Sequence, residues 1–446
     1  MKVVAEVRLS FNGHAPQREC DLAAARGCVL DHARALAGGL RCESVPRQCA
    51  GGRVLAQQVL ADRDFPPFPR AMRDGYALRA ADATRPLPCL GSARAGAAFP
   101  HALAPGACVE IMTGAPVPAG ADAVVMVERT RTGHRYSEAG LPGIEARPPS
   151  DQRERPRQKV ANPIPDDVLV EAEVRAGDNI APIGSDARRG AALLVPGRRL
   201  GPAALAVLAS AGCAQPLVVA RPRVAVLATG DELVPADQLP GPFQIRNSNG
   251  PMLAALVEQC GGQVVAEEGL PDRSSAIQHA LRRWLPQADL ILFSGGASVG
   301  THDQVAPALA ASGAEFFFDA VRIRPGRPVL FGACDRRLFF GLPGNPVAAL
   351  LAFQLLVRPA LALLGGALVP PPAWANATLG FKFQARPQPL LVFRPVRWAP
   401  AAPVIQPVHY AGAADLAAAA AADAFLMIPE ETASLPAGAA VQVVPL

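Results

Sequence analysis

The sequence predicts a multidomain α/β plus β protein, with a central parallel α/β sandwich domain, an inserted small β domain and a C-terminal β-barrel-like domain. Three observations predict it. Between Arg223 and Pro346, apolar runs rich in β-branched residues (RVAVLATGDE, DLILFSGGASVGTHD, LFFGLPGNP) alternate with helical patterns at Pro251–Cys260 and Ala276–Leu285. Such alternation reads as a parallel sheet with helices on both faces. Residues 87–186, and the stretch from about 366 onward, hold short β-branched runs cut by Gly and Pro, the pattern of small β domains.

In chain order, Leu22–Leu36 has a helical pattern, and so does RVLAQQVLAD at Arg53–Asp62. Phe65–Leu78 (FPPFPRAMRDGYAL) follows, whose prolines forbid regular helix, so an extended segment presents Asp74-Gly75-Tyr76. On spacing alone Asp74-Gly75 reads as a simple turn. The β insert spans 87–186 and is interrupted by Gly133–Asp167, a polar, proline-rich stretch of mixed charge that reads as a mobile loop. PAALAVLASAG is a core helix ending at Gly212 and returns the chain to the first domain. The expected domains are a discontinuous linker domain (1–86 and 187–218), the β insert (87–186), the α/β domain (219–365) and the barrel domain (366–446), in which DLAAAAAADAF at Asp415–Phe425 is a helical insert.

Composition narrows the function classes. The chain has 446 residues, half of them hydrophobic, enough for two to four domains with sizeable cores. No uninterrupted apolar run reaches the length of a membrane span, and MKVVAEVRLSF lacks a secretory core. Nine cysteines lack CxxC spacing, which favours reduced thiols in a cytoplasm over a disulfide framework or zinc site. The net charge of +5 comes with 3 lysines among 43 basic residues, a bias of GC-rich coding that says little about nucleic acid. With only 5% aromatics, no basic run carries stacking rings, so neither a nucleic-acid nor a membrane partner is expected.

The three strand ends carry the chemistry. In open α/β sheets, ligands bind outside the C-terminal ends of the strands. The strands end at Thr229-Gly230, Ser294-Gly295-Gly296 and Pro343-Gly344-Asn345-Pro346. Asn345 is a favoured N-cap and Pro346 fits the first helical position. A helix start presents free N–H groups to an anion, Gly344 admits a ligand to the backbone, and Gly295-Gly296 can form a second nest of amides. Asp231, Glu232, Asp272 and Asp303 lie at or just past strand ends. Any one of them alone could be an ordinary helix cap; together with amide nests they suit a phosphate ligand whose charge is shared with Mg²⁺.

The motifs DGYA (Asp74–Ala77), MTGAPVP (Met112–Pro118), GDNIAPIGSD (Gly177–Asp186), TGDEL (Thr229–Leu233), SGGASVG (Ser294–Gly300), RPGRP (Arg324–Pro328) and GLPGNP (Gly341–Pro346) occur in that order. Together, from about Ala50 to the C-terminus, they resemble the molybdopterin molybdenumtransferases, bacterial relatives of the gephyrin E domain. The resemblance implies an elongated four-domain protomer in a homodimer, with a cleft between the α/β domain of one subunit and the linker and insert domains of the other. It implies insertion of molybdate into adenylylated molybdopterin with Mg²⁺ assistance and release of AMP. By the same resemblance, a molybdopterin adenylyltransferase supplies the substrate and molybdoenzymes accept the product. Asp74, Thr113 and Asp186 match active-site positions outside the α/β domain. Glu232, Asp272 and Asp303 match the acidic rim, Pro343 and Pro346 the GLPGNP loop, Arg324 the basic position of the proline motif, and Ser298 the loop after the glycines.

Some positions depart from the family pattern: Ala71 where serine is common, Arg73 for methionine, Arg246 for tyrosine, and Ala320 for lysine, with Arg322 two residues on. Gly412–Ala414 and Ala417-Ala418 stand in a region that often carries serines. Arg322, Arg324 or Arg327 could hold the molybdate dianion, or each could instead pair with a nearby acid. His302 is either a proton carrier or an exposed loop histidine. Two other functions fit the fold: a non-catalytic pterin carrier, against which the intact acids argue, and the sibling adenylyltransferase, against which the extra domains argue.

Overall fold

The computed structural model describes residues 19–37, 39–133, 165–295, 304–370, 374–384, 386–400 and 403–446. The chain divides into two compact units, one made of residues up to Gln57, Val195–Ala206 and Ala214–Leu446, the other of Gln58–Leu194 and Val207–Cys213.

The first unit is built on a seven-stranded sheet in the order Glu19–Cys20, Glu315–Val321, Pro328–Cys334, Arg337–Leu342, Leu290–Ser294, Arg223–Thr229, Gln263–Leu270. The last four strands are mutually parallel, including the three expected from sequence. The sheet is nevertheless mixed, because Pro328–Cys334 runs antiparallel to both neighbours. Its connection to Arg337–Leu342 is the two-residue turn Asp335-Arg336, with φ of 46° and 58°, and a turn that tight joins only antiparallel strands.

Successive side chains of the parallel strands face opposite ways. Val224, Val226, Leu290 and Leu292 enter one core with the helices Leu22–Ala37, Asn249–Gln259 and the long Pro346–Leu364. Ala225, Leu227, Ile291 and Phe293 enter a second core with Ser274–Trp284 and Val305–Ala311. These runs are apolar throughout because both faces are buried. Pro346–Leu364 is, against expectation, long and apolar enough to cross a membrane, with a mean hydropathy of 2.1, but it is a core helix, 89% buried. Its middle, Phe353–Val357, loosens to π-helical geometry, and Arg26 donates to the Leu355 carbonyl there at 2.8 Å.

Ala375–Leu379, Leu391–Trp398, Val404–Pro407, Ala424–Ile428 and Ala440–Pro445 close into a five-stranded barrel, since Leu391–Trp398 pairs with both Val404–Pro407 and Ala424–Ile428. Phe393, Phe425 and Val444 carry the barrel into the first core. Past the large sheet, the pair Ile323–Arg324 adds in parallel to the start of Leu391–Trp398, opposite Leu391 and Val392.

The second unit holds a six-stranded sheet in the order Ala123–Met126, Gly75–Leu78, Cys108–Ile111, Leu87–Ala93, Asp167–Val170, Thr130–Gly133. Three sequence expectations change here. Gly75 is not in a turn: it opens a central strand, where a Cβ would overlap the Val125 carbonyl. Gly133 and Asp167 are paired strand residues, so the loop between them begins and ends inside those bounds, and residues 134–164 lie outside the described residues. Arg53–Asp62 is not helical: Val59–Leu60 pairs with Ala192–Leu194, and the Leu55 and Ala61 N–H groups bond to Arg198 and Ala191. Pairing with a distant segment overrides the local apolar spacing.

Candidate functional site

The floor of the candidate site is made of small residues at the parallel strand ends. Thr229 and Ser294 are 4% and 2% exposed. Gly295 has φ of 85°, and a Cβ there would overlap the Thr229 carbonyl oxygen. A Cβ on Gly344 would meet Gly295 Cα at 3.7 Å, so the second and third strand ends touch backbone to backbone. Asn249, only 8% exposed, ties them: its side-chain amide donates to the Ser294 hydroxyl and the Gly344 carbonyl, each at 2.7 Å. Ser294 thus lies beneath the floor rather than on it.

The acids sit at one side. A Cβ on Gly230 would meet the Glu232 carboxylate at 2.7 Å, so Glu232 folds back over the glycine. Asp231 accepts a hydrogen bond from the Asp272 backbone N–H at 3.1 Å and joins the end of Arg223–Thr229 to that of the edge strand Gln263–Leu270. Burial, then the charges of Asp231 and Glu232, push the Asp272 carboxyl above the ordinary carboxylate range.

A cleft of about 890 Å³ opens over this floor. Thr229, Glu232, Asp272, Gly295, Pro343, Gly344 and Asn345 line it from the sheet, and Arg324 and Arg327 from the proline-rich segment. Gln388, Arg394 and Tyr410 line it from the barrel, and sequence reasoning missed all three. Arg394 stacks over the Tyr410 ring at 5.1 Å from the centroid. Its position, exposed between buried Phe393 and Pro395 in LLVFRPVRWA, was the available signal. Asp231, Gly230 and Pro346 do not line the cleft.

The arginines divide by partner. Arg327 Nε donates to Glu19 at 2.8 Å and Arg322 lies 4.0 Å from Asp21. Arg324 instead donates to the neutral Gln388 side chain at 2.9 Å, and among the described residues no carboxylate pairs with it. The helix start is less open than the sequence suggests. Pro346 has no N–H, Val347 donates to the Ala413 carbonyl at 3.0 Å, and the Asn345 side chain caps nothing. Ala411–Ala413 also line the cleft, and Asp415 fixes them by accepting from the Ala411 and Ala418 N–H groups at 2.9 and 3.0 Å.

In the second unit, Thr113 donates its N–H to Asp74 at 2.6 Å; that bond, then the Thr113 side chain, holds the Asp74 carboxyl below its usual range. Asp186 pairs with Arg70 at 3.2 Å. Ala71 is buried under the Thr113 turn, exchanging backbone bonds with Gly114 and Ala115. Gly296, Ser298, His302 and Asp303 lie outside the described residues.

Three family descriptions match in succession: the MoeA N-terminal region (domains I and II) over residues 20–212, a probable molybdopterin-binding domain over 225–363, and the MoeA C-terminal region (domain IV) over 376–446. A molybdopterin molybdenumtransferase of Nostoc sp. is 34% identical over 334 residues, 73% of this chain and 70% of the relative. One from Staphylococcus aureus is 30% identical over 400 residues, 88% of each. The crystal structure of the molybdopterin biosynthesis moeA protein from Pyrococcus horikoshii OT3 superposes with a TM-score of 0.73 at 26% identity, covering 96% of this chain and 100% of that one. Fold and matched regions define a multidomain enzyme of molybdenum cofactor biosynthesis. The chain belongs to the molybdopterin molybdenumtransferase family.

Proposed function

We propose that this enzyme inserts molybdate into the dithiolene of adenylylated molybdopterin, releasing AMP and water in an Mg²⁺-dependent reaction. The observation that carries the reading is Arg324, which pairs with no carboxylate among the described residues and shares one cleft with the acids Glu232 and Asp272. Molybdate is a dianion, and a guanidinium without a carboxylate partner is suited to hold it. Gly295 and Gly344 let the phosphates of the pterin nucleotide approach the backbone. Pro343, buried at the cleft wall, keeps the loop shape.

Among the described residues, no three His, Cys, Asp or Glu side chains group closely enough to cage a metal. Glu232 and Asp272 still fit Mg²⁺, which keeps several waters and binds through one or two carboxylates plus substrate phosphates. Asp272's raised proton affinity beside two other acids marks a place where a cation relieves repulsion. Bound there, Mg²⁺ would neutralise charge on the pyrophosphate. Asp303 and Ser298 are proposed for the same rim by motif. Asp74, Thr113 and Asp186, a homodimeric state, the four-domain division and a cytoplasmic location belong to the proposal on the same footing.

The test is incubation with adenylylated molybdopterin, Mg²⁺ and molybdate. AMP release that yields cofactor able to activate an apo-molybdoenzyme supports the reading. AMP release without molybdate dependence, or no release at all, overturns it.

A further inference from the structure

We propose that Cys89 and Cys108 form a peroxide-sensitive thiol pair that closes to a disulfide between two neighbouring strands. This is a modification site apart from the cleft. The two residues are direct partners in the parallel pairing of Leu87–Ala93 with Cys108–Ile111. Neighbouring strands lie about 4.8 Å apart, within the Cα separation that disulfides span, about 4.4–6.8 Å. Both side chains lie on one face, since they join the same apolar cluster with Tyr76, Leu87 and Val168. Cys108 is fully buried, whereas Cys89 is half-buried and within reach of a small oxidant.

Their surroundings divide the roles. The Cys89 thiol donates towards the Gly91 carbonyl at 3.5 Å and Cys108 towards Leu87 at 3.7 Å. Hydrogen bonding with the Cys108 thiol draws Cys89 down to about 7, while the same contact and burial push Cys108 up. Access therefore divides the roles: the half-buried Cys89 sulfur meets the oxidant first, and the buried Cys108 is the resolving thiol.

The chemistry balances with a hydroperoxide as oxidant. The Cys89 thiolate attacks the peroxide, an S–O bond forms as the O–O bond breaks, and the departing hydroxide or alkoxide takes up the proton that the thiol released, leaving as water or an alcohol. The Cys108 sulfur then attacks the sulfenic acid, an S–S bond forms as the S–O bond breaks, and a second water carries away the Cys108 proton. Two electrons pass from the sulfurs to the peroxide. The bond would staple the strand that runs directly into Met112-Thr113.

The whole protein is treated with limiting hydrogen peroxide, alkylated under denaturing conditions, digested and mapped. The expected result is a Cys89–Cys108 linked peptide that accumulates before the exposed Cys42 and Cys49 are modified and disappears with dithiothreitol. In Cys108→Ala, Cys89 should accumulate as a sulfenic acid trapped by dimedone. Oxidation of Cys42 and Cys49 while Cys89 and Cys108 still alkylate, or unlinked Cys89 sulfinic acid, overturns the proposal. Mapping the wild-type protein decides the matter even if the variant fails to fold.

Discussion

Asn249 holds Gly344 through a 2.7 Å hydrogen bond from its side-chain amide to the Gly344 carbonyl, across 95 positions of sequence. The same amide reaches Ser294, so one buried side chain fixes the relative height of two ligand-facing loops. Asn249→Ala leaves the buried Ser294 hydroxyl and the Gly344 carbonyl without this donor and should cost about 2 kcal/mol of stability. Turnover should show a raised KM for the pterin substrate, and Asn249→Gln should not restore it, because the longer side chain misplaces the donor. Urea unfolding and steady-state kinetics check both; an unchanged KM would show that the clamp serves stability alone.

Glu232→Gln keeps the shape of the side chain and removes a charge beside Asp272. The folded protein should be as stable as wild type or slightly more so, while AMP release falls by about a hundredfold or more. Affinity for the adenylylated pterin without Mg²⁺ should hold or tighten. AMP release at the wild-type rate would remove Glu232 from the metal site.

Arg324 and Arg327 line the same cleft but should respond differently. Arg324→Gln removes a charge with no acidic partner and should raise the KM for molybdate at least tenfold. Arg327→Gln mostly releases Glu19 and should change it by less than threefold. Molybdate titrations of the two variants side by side test this; equal effects would mean that the Glu19 pair opens when ligand binds.

Gly295→Ala meets both a positive φ and the Thr229 carbonyl. The backbone must shift at the floor of the cleft, for about 3 kcal/mol. Thermal unfolding should move down and activity should be lost together. Gly344→Ala, which meets Gly295 only at ordinary contact distance, should unfold close to wild type.

At the opposite end of the sheet, Asp289 lies among Arg223, Arg41 and Arg337, at 3.2, 3.3 and 3.7 Å. Burial pushes its carboxyl up, but hydrogen bonds from the Arg223 side chain and backbone outweigh that and hold it below its ordinary value. A depressed carboxyl stabilises the fold above its unfolded pKa of about 3.9, and that stability is lost as pH falls through the lower folded value. Asp289→Asn should therefore cost about 2 kcal/mol at neutral pH, with the difference from wild type shrinking as the pH drops below about 4. Urea midpoints at pH 7 and in acid measure it; a pH-independent difference would mean that the carboxylate charge is not what matters.

The three strands, the helices near Pro251–Cys260, Ala276–Leu285 and after Pro346, and the barrel were legible because each announces itself locally, by an apolar pattern or by Gly and Pro spacing; the edge strand Gln263–Leu270 and the helix Val305–Ala311 were not. Glu232 was legible for the same reason, directly following a strand end, and Asp272 through the family resemblance. Gln388, Arg394 and Tyr410 were not, because they reach the cleft only through barrel closure, which no local pattern encodes. Arg53–Asp62 misled because its apolar spacing suits a helix, while its backbone is claimed by residues more than a hundred positions away. Asn249 precedes the expected helix at Pro251–Cys260 and carries no local signal; only the meeting of two loops above it reveals its use.

Val321 belongs to the large sheet through the hydrogen bond of its N–H to Arg327, yet Ile323 and Arg324 are already strand partners of the barrel. Arg324 therefore travels with the barrel strand it pairs with, like a latch mounted on the door rather than on the frame. Any displacement of the barrel that widened the cleft would withdraw Arg324 from an anion bound there. An anion gripping Arg324 must in turn resist that displacement, because the two equilibria share one free energy.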